Sequence, residues 1–190
     1  MSAGRGEVTG PARRTIWRWE LAGIVFILVA GSVLHFAYAW AGYWRPIAWL
    51  AAVNESTWEH FKLAFWPGLF WALLEYLTIR RLTHNFWPGK GFGLFAMPVT
   101  IAALFYGYQL VLGRDYFVAD ILTFVAAVVL GQWLSYRLLT AAPFGPALRL
   151  AGVALLLLLV VAFALLSYFP PRIFLFEDPL SHGYGLAAGD

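Results

Sequence analysis

The sequence predicts an all-α fold, a polytopic transmembrane helical bundle of about five spans. Hydrophobic residues make up 62% of the 190 positions, the mean hydropathy is +0.72, and only 12% of the residues are charged. So small a chain cannot hide this much apolar surface inside a soluble globule. The apolar runs are close to the roughly 20 residues that a helix needs to cross a membrane, and they lack the alternation of a membrane β-barrel.

The apolar runs divide the chain into a basic N-terminal arm (1–18), a membrane domain (19–169) and a C-terminal tail (170–190). The predicted spans within the membrane domain are about 19–42, 56–79, 92–112, 116–139 and 147–169. The segment RRLTHNFWPGKG predicts a basic loop before the third span. The segment TAAPFGPALR, which contains two prolines, predicts the break before the fifth span.

The basic residues are distributed unevenly between the two ends of these spans. If the N-terminus is cytoplasmic, nine of the 13 Lys and Arg residues lie on the inner side. The positive-inside rule therefore favours an N-in, C-out topology, with a cytoplasmic arm and an extracytoplasmic tail. This bias explains the formal charge of +3, so we expect membrane lipids and no nucleic acid as partners.

Residue types and motifs exclude several kinds of site. The chain has no cysteine, which excludes disulfides, thiolate metal ligands and a cysteine nucleophile. The segment STWEH at 56–60 resembles the inverted zinc-protease pattern H-x-x-E-H, but serine replaces the first histidine, so we reject that assignment. No H-E-x-x-H, G-x-S-x-G, phosphate-loop or dinucleotide glycine motif occurs.

Ionisable side chains converge on the predicted outer face. The stretch NESTWEHFK (54–62) opens the second span, His35 lies in the outer half of the first, and Asp120 begins the fourth. A charged side chain inside a membrane is costly and usually faces the bundle interior or a wet cavity. These residues therefore predict an outer-face site with the side chains to hold a divalent metal ion. The candidate catalytic residues are Glu55, Glu59, His60, Lys62 and Asp120, and the candidate metal ligands are Glu59, His60 and Asp120.

Part of this motif also has a structural interpretation. Ser56-x-x-Glu59 matches a capping box, in which the serine accepts from the Glu59 amide and the glutamate reaches back to the serine amide. Glu55, Glu59 and Lys62 share a helix face, so the lysine can pair with either carboxylate. His60 lies about 100° away from that face. The residues that we assign to structural or other roles are Asn54, Ser56, Trp58, Glu75, His35 and Asp178.

Two further residues lie within spans. For His35 alone we favour an interhelical hydrogen bond. Asp120 is expected to point inward, because Ala127 and Gly131 lie near its side of the helix and small residues mark close helix contacts. We therefore favour a functional role for Asp120.

Glu75 forms a separate case. It follows His60 by 15 residues, which is about 22 Å along a helix and places it in the inner half, near Gln132 and Ser135. It cannot readily join the outer cluster. A proton or ion path would use a group at that depth, whereas snorkelling toward Arg80 or a bond across helices is an equally good explanation.

The tail PPRIFLFEDPLSHGYGL is rich in proline and aromatic residues. We expect it to fold onto the outer face. His182 or Asp178 would then cap the site.

The stretch NES-x-WEH-x-K (54–62), followed by Phe65, Pro67 and Glu75, resembles the signature of a group of small bacterial multi-pass membrane proteins known as a domain of unknown function. Their motif opens the second span, and an aspartate in a later span resembles Asp120. Their terminal pattern PP…LF-x-DP…G-x-YG resembles Pro170, Pro171, Leu175, Phe176, Asp178, Pro179, Gly183, Tyr184 and Gly185. The resemblance implies the fold, an outer-face motif and the bacterial cytoplasmic membrane, and it transfers no activity.

Three functions remain open. The first is a membrane-embedded enzyme that acts on a lipid or lipid-linked substrate at the outer leaflet. Glu59 or Asp120 would be its general base, and His60 its proton shuttle or metal ligand. Lys62 or Arg114 would hold an anionic headgroup.

The second function is a small carrier or channel for protons, metal ions or a polar solute, with Glu75 and Gln132 continuing the path inward from Asp120 and His60. The third is a structural or accessory subunit, whose polar motif caps a helix and docks the tail. We favour the enzyme, because five spans without an internal repeat are unusual for a carrier.

Overall fold

Five α-helices dominate the computed structural model, which describes residues 8–186. They are α1 (Gly10–Trp40), α2 (Thr57–Ile79), α3 (Phe86–Leu112), α4 (Phe117–Leu139) and α5 (Pro146–Leu165). Short 3₁₀ helices occupy Arg45–Trp49, Arg80–Leu82 and Phe174–Phe176. The described residues contain no β-strand, only an isolated bridge between Glu177 and Tyr184. The predicted all-α helical bundle is therefore confirmed.

The five helices differ in how apolar they are. Four of them, α1, α3, α4 and α5, are long and apolar enough to cross a membrane. α2 has 23 residues, but it carries Glu59, Lys62 and Glu75. Every residue from 61 to 68 is buried, whereas Leu73, Leu74 and Leu77 in the second half of α2 are exposed. The three charged side chains are buried against other parts of the protein, so α2 tolerates them because they find partners there.

α3 begins at Phe86 instead of residue 92, so the predicted basic loop is shorter than expected. The glycines of its first two turns lie within the helix and allow neighbouring helices to approach closely. A Cβ atom added at Gly91 would lie 2.0 Å from the carbonyl oxygen of Gly152 in α5. Lys90 is consequently a buried residue of α3 and not part of a loop.

α1 also begins earlier than predicted, at Gly10. The second half of the predicted arm is therefore helical, and residues 1–7 lie outside the described part of the chain. Proline at position 11 suits this start, since the first amides of a helix have no intrahelical partner. Lys62 and Lys90 are both buried in the bundle. Without them, eight basic residues lie on the predicted inner side and three on the predicted outer side, so the charge bias keeps its direction.

Successive helices run in opposite directions. The motif end, as we call it, contains the start of α2, the ends of α1 and α5, the α3–α4 connection and the tail. There the Tyr106 hydroxyl of α3 donates to Thr57 Oγ1 of α2 at 3.0 Å. At the opposite end, Trp71 Nε1 of α2 donates to the carbonyl of Trp19 in α1 at 3.1 Å. The core between the two ends includes Ile27, Phe65, Leu94, Val128 and Phe163.

The C-terminal tail packs onto the motif end. The ring of Phe176 stacks on Trp58 of α2, with centroids 4.6 Å apart. Gly185 has φ +67°, and a Cβ atom there would lie 2.8 Å from Pro170 Cγ and 2.9 Å from the carbonyl oxygen of Ser167. Only glycine fits this close approach without strain. The tail therefore folds back as expected, up to residue 186.

The two tail residues that we expected to cap the site make their hydrogen bonds within the tail instead. Asp178 Oδ2 accepts from the Ser181 hydroxyl at 2.5 Å. His182 is exposed, and its Nδ1 lies 2.9 Å from Glu177 Oε1. This hydrogen bond lowers the pKa of the Glu177 carboxyl. The tail thus covers the motif end with the Phe176 ring and the backbone around Gly185, and not with the side chains of Asp178 or His182.

Candidate functional site

Asn54 shapes the loop that leads into α2. Its Oδ1 accepts a hydrogen bond from the Ser56 amide at 2.9 Å, and its Nδ2 donates to the Gly185 carbonyl at 2.9 Å. One side chain therefore forms an Asx-type turn before the helix and also holds the tail. Asn54 thus connects the loop before α2 to the C-terminal tail.

The predicted capping box is wrong. Ser56 is the N-cap residue of α2, but its side chain forms no capping hydrogen bond. Glu59 Oε2 accepts from the Val53 amide at 3.0 Å and not from the Ser56 amide. The physical reason is that Asn54 already satisfies the Ser56 amide, while Lys62 draws the Glu59 carboxylate to itself.

Glu59 and Lys62 form a buried ion pair, with Glu59 Oε2 and Lys62 Nζ 2.5 Å apart. The ammonium also donates to the carbonyls of Ala48 at 2.7 Å and Ala51 at 2.8 Å. Ser167, just after α5, accepts from Lys62 at 2.6 Å and donates to Glu59 Oε1 at 2.7 Å. A buried charged pair is tolerated when its remaining hydrogen-bonding groups are satisfied in this way.

This network decides what Glu59 and Lys62 can do chemically. Both Glu59 oxygens already accept hydrogen bonds, and the side chain is 2% exposed. Lys62 is completely buried, and its three N–H donors are taken up by protein oxygens. Neither a general base nor a headgroup clamp has a free group here. The pair instead joins α2, the Arg45–Trp49 segment and the end of α5.

A second group of side chains lies beside this pair and is partly open to solvent. His35 of α1, Glu55 of the loop and His60 of α2 each offer one ligand atom, and these atoms lie within 4.8 Å of one another. Glu55 Oε2 lies 3.6 Å from His35 Nε2 and 3.5 Å from His60 Nε2. The partner of His60 is thus Glu55, the carboxylate that Lys62 leaves unpaired.

The His60 ring is oriented by a backbone group. Its Nδ1 lies 2.9 Å from the carbonyl oxygen of Ser56. Because a carbonyl only accepts hydrogen bonds, Nδ1 carries the hydrogen and a neutral ring keeps the Nε2 lone pair toward Glu55. Histidines that bind metal are commonly held by such a second hydrogen bond.

The three side chains fit a divalent metal ion. Zinc bonds to nitrogen and oxygen of about 2.0–2.2 Å place two ligand atoms at most about 4.4 Å apart. Small side-chain rotations would close the present group around an ion. Two histidines and one carboxylate form a known catalytic ligand set, which leaves a coordination position for water or substrate.

Asp120 lies at the same end of the bundle. Its Oδ1 accepts a hydrogen bond from the Tyr108 hydroxyl of α3. One turn deeper, Phe124 of α4 meets Gly31 of α1, where an added Cβ would lie 2.9 Å from the Phe124 ring. Since α1 and α4 are antiparallel, Asp120 and His35 both lie one turn from this contact, toward the motif end. Asp120 is not among the three residues whose ligand atoms converge.

Arg114 lies in the α3–α4 connection at the motif end and is exposed. Its Nε donates to the Tyr116 hydroxyl at 2.7 Å. The guanidinium also lies over the Tyr116 ring, 4.7 Å from its centroid. Unlike Lys62, this cation is exposed to solvent.

A third ionisable group is buried near the other end. Lys90 Nζ lies 2.7 Å from Glu20 Oε1 and is in ion-pair contact with Glu75. Ser135 donates to Glu20 Oε1 at 2.9 Å, and Gln132 Nε2 lies 3.4 Å from the Glu20 carbonyl oxygen. Lys90 thus joins Glu75 to Glu20, and Glu20 is the residue that contacts Ser135 and Gln132.

Sequence reasoning missed Glu20, Lys90 and Ser167. Glu20 stands at the start of an apolar run, where an interfacial position is the simpler interpretation. Lys90 is flanked by glycines, which predict a turn in a soluble protein. An acid inside a predicted span was the available signal for Glu20; Ser167 had no signal, since its partners are more than 100 residues away.

The family relationship of the chain covers nearly all of the described residues. Residues 12–186 match a family described as a family of unknown function (DUF6512). The chain belongs to this family. The DUF6512 match includes α2 to α5, nearly all of α1 and the tail, and it brings no activity with it. No curated protein and no solved structure matches the chain significantly.

Proposed function

We propose that this DUF6512 protein is a metal-dependent enzyme of the bacterial cytoplasmic membrane that hydrolyses a lipid or lipid-linked substrate at the outer leaflet. The observation that carries the proposal is the convergence of His35, Glu55 and His60, whose ligand atoms lie within 4.8 Å of one another. A divalent ion bound by three protein ligands retains an open position. There it would lower the pKa of bound water and supply a hydroxide at neutral pH.

The surroundings of the three ligands support a lipid substrate. The exposed fractions of the His35, Glu55 and His60 side chains are 29%, 43% and 32%, so a substrate can reach the ion. The group lies where α1 ends and α2 begins, at the level of the headgroups if the helices span the bilayer. Arg114, exposed at the same end, is the candidate contact for an anionic headgroup.

Asp120 is the candidate general base of this reaction. Glu59 is excluded from that role because its oxygens are taken up by Val53, Lys62 and Ser167. Asp120 is half-buried at the motif end, and a carboxylate there can accept a proton from the attacking water.

The first test is elemental analysis of the purified protein after supplementation with zinc, manganese or iron. We expect about one ion per chain, and its loss in His35→Ala and His60→Ala. His84→Ala is the matched control, because His84 is exposed at the opposite end and should not affect the ion. A wild-type protein that holds no ion under any of these conditions would remove the proposal.

The second test measures turnover of phospholipids in nanodiscs loaded with the ion. We expect hydrolysis that Glu55→Gln abolishes while the fold and the thermal unfolding temperature are retained. An ion that binds without any turnover would contradict the enzyme and favour the alternative below.

The alternative is a proton- or metal-coupled carrier. The specific observation in its favour is the buried group of Glu20, Glu75 and Lys90, because ionisable residues inside a span often mark a proton or ion path. Reconstituted liposomes test this function directly. Metal uptake that depends on both His60 and Glu75 would establish it, and tight vesicles without uptake would exclude it.

A further inference from the structure

We infer that Glu20, Glu75 and Lys90 form a second site that binds one proton in common between the two carboxyl groups. This site lies outside the proposed metal site. Glu75 follows His60 on α2 by 15 residues, or about 22 Å along the helix. The inference does not depend on whether the motif end binds a metal ion.

The first argument is the geometry of the group. Glu20 comes from α1, Glu75 from α2 and Lys90 from α3, and all three are at most 1% exposed. The single ammonium of Lys90 contacts both carboxylates, at 2.7 Å for Glu20 Oε1. Three helices thus direct two acids and one base to the same point inside the bundle.

The second argument is the balance of charge. With both acids ionised, two negative charges would face one positive charge, and the excess charge would be buried. An unpaired charge in such surroundings is strongly unfavourable, and binding a proton removes it. One proton bound by either acid makes the group neutral.

The other elements packed against the group supply no compensating charge. α4 contributes Ser135 and Gln132, which are uncharged, and its Arg137 is exposed and lies over the ring of Trp133. α5 contains one charged residue, Arg149, and this side chain is exposed. The group must therefore be neutralised from within.

The third argument comes from the hydrogen bonds that are missing. Glu20 Oε2 and Glu75 Oε1 are buried and form no hydrogen bond within the described residues, whereas Glu75 Oε2 is in ion-pair contact with Lys90. Ionised carboxylates are acceptors only, so neither of these two oxygens can donate to the other. A protonated carboxyl gains an O–H donor. A single proton therefore reduces both the excess charge and the shortage of donors.

A mostly apolar cavity lies beside this site. It has a volume of about 360 Å³ and lies between α1 and α4. Glu20 and Gln132 line it, together with apolar residues that include Trp17, Ile24 and Trp133. Because Glu20 is 0% exposed, its carboxyl group stays shielded from solvent, which favours the neutral form of the site.

Infrared spectroscopy of the protein in nanodiscs tests this inference, since protonated and ionised carboxyl groups absorb at different frequencies. At neutral pH we expect a protonated carboxyl band in the wild-type protein that shifts in heavy water. Glu75→Gln leaves the neutral pair Glu20–Lys90, and Glu20→Gln leaves the neutral pair Glu75–Lys90. The band should therefore disappear in each single variant.

Two further variants make the test specific. Glu55→Gln at the motif end is the matched control and should keep the band. Lys90→Met removes the cation and leaves two buried acids, so the band should become stronger. Glutamine closely matches glutamate in shape, and circular dichroism shows whether each variant is folded.

Two results would overturn the inference. If the wild-type protein shows no protonated carboxyl band at neutral pH, both acids are ionised, and a bound metal cation such as Na⁺ would be the alternative. If the band survives in one of the two single variants, the proton belongs to one carboxyl and is not held in common. The wild-type spectrum decides the first point even if a variant fails to fold.

Discussion

The carboxylate of Glu59 and the ammonium of Lys62 lie 2.5 Å apart, one turn from each other on α2, and neither side chain is more than 2% exposed. Ser167 contacts both of them from the end of α5. The ion pair therefore links the motif to the end of α5, and Glu55, which Lys62 does not contact, faces His35 and His60. Because Lys62 contacts Glu59, that carboxylate belongs to the buried ion pair, and Glu55 is the one available to the histidines.

Breaking this pair should destabilise the bundle. Glu59→Gln leaves the Lys62 ammonium buried without a counter-charge, which we expect to cost about 3–5 kcal/mol. Glu55→Gln, on a half-exposed side chain, should have little effect. Denaturant unfolding in mixed micelles measures both, and equal stability of the two variants would contradict the role of the pair. The Glu59→Met, Lys62→Met double variant should recover part of the loss.

The approach of α3 to α5 predicts opposite effects of two alanines in the same helix. Gly91→Ala forces the backbones apart, because the new Cβ would lie 2.0 Å from the Gly152 oxygen; such overpacking costs roughly 1–3 kcal/mol. Gly107→Ala meets nothing within 4 Å and should gain roughly 0.5–1 kcal/mol of helix stability. Thermal unfolding of both variants checks this prediction, which fails if Gly91→Ala is as stable as Gly107→Ala.

Loss of the Asn54 side chain should release the tail. Asn54→Ala removes the hydrogen bond to Gly185. One hydrogen bond contributes about 0.5–1.5 kcal/mol to stability, so molecules with an undocked tail should become roughly 2- to 10-fold more populated. Limited proteolysis of the tail measures this change. The exposed Leu180 provides the control, and a Leu180→Ala variant that is cleaved as fast as Asn54→Ala would argue against docking through Asn54.

The metal site and the general base should respond differently to substitution. We expect His35→Ala to remove the ion, because His35 is one of the three converging ligands. Asp120→Asn should keep the ion but lower turnover roughly 10²- to 10⁴-fold, the usual contribution of a general base. Metal content and turnover of the same preparations separate the two roles. Loss of the ion in Asp120→Asn would make Asp120 a ligand.

Acid should loosen the tail through Glu177. Its hydrogen bond with His182 lowers the pKa of Glu177 below the ordinary value of 4.5. A carboxyl group with a lowered pKa in the folded state stabilises that state above its ordinary pKa, and this contribution is lost as the pH falls through the lowered value. Cleavage of the tail by pepsin should therefore rise below about pH 4.5 in the wild-type protein. Glu177→Gln should lack this pH dependence, and an identical pH profile would refute the prediction.

Much of the fold could be predicted because a helix that faces lipid must be apolar along its length. The predicted third span nevertheless began too late. Gly89 and Gly91 resemble the turn residues of soluble proteins, whereas here Gly89 makes room for α4 and Gly91 for α5, and Lys90 between them is buried in the bundle. Local composition cannot distinguish these two uses of glycine.

The candidate site was predicted less completely, for a related reason. A helical spacing would place Glu55 and Glu59 on one face, so spacing alone allowed Lys62 to pair with either, but Glu55 lies in the loop before α2. The choice depends on Ser167 and the carbonyls of Ala48 and Ala51, which reach Lys62 through the tertiary structure. The motif itself could be recognised from the sequence, but the separation into an ion pair and a His–Glu–His group could not.

The contact between Asn54 and Gly185 also constrains the order of assembly. These residues are 131 positions apart, and Gly185 is near the C-terminus. During synthesis the first four helices can be made while the loop before α2 still lacks its partner. The motif end can be completed only after the tail has been made and has reached the same side as that loop. A bulky fusion at the C-terminus would therefore be placed beside the part of the protein that assembles last.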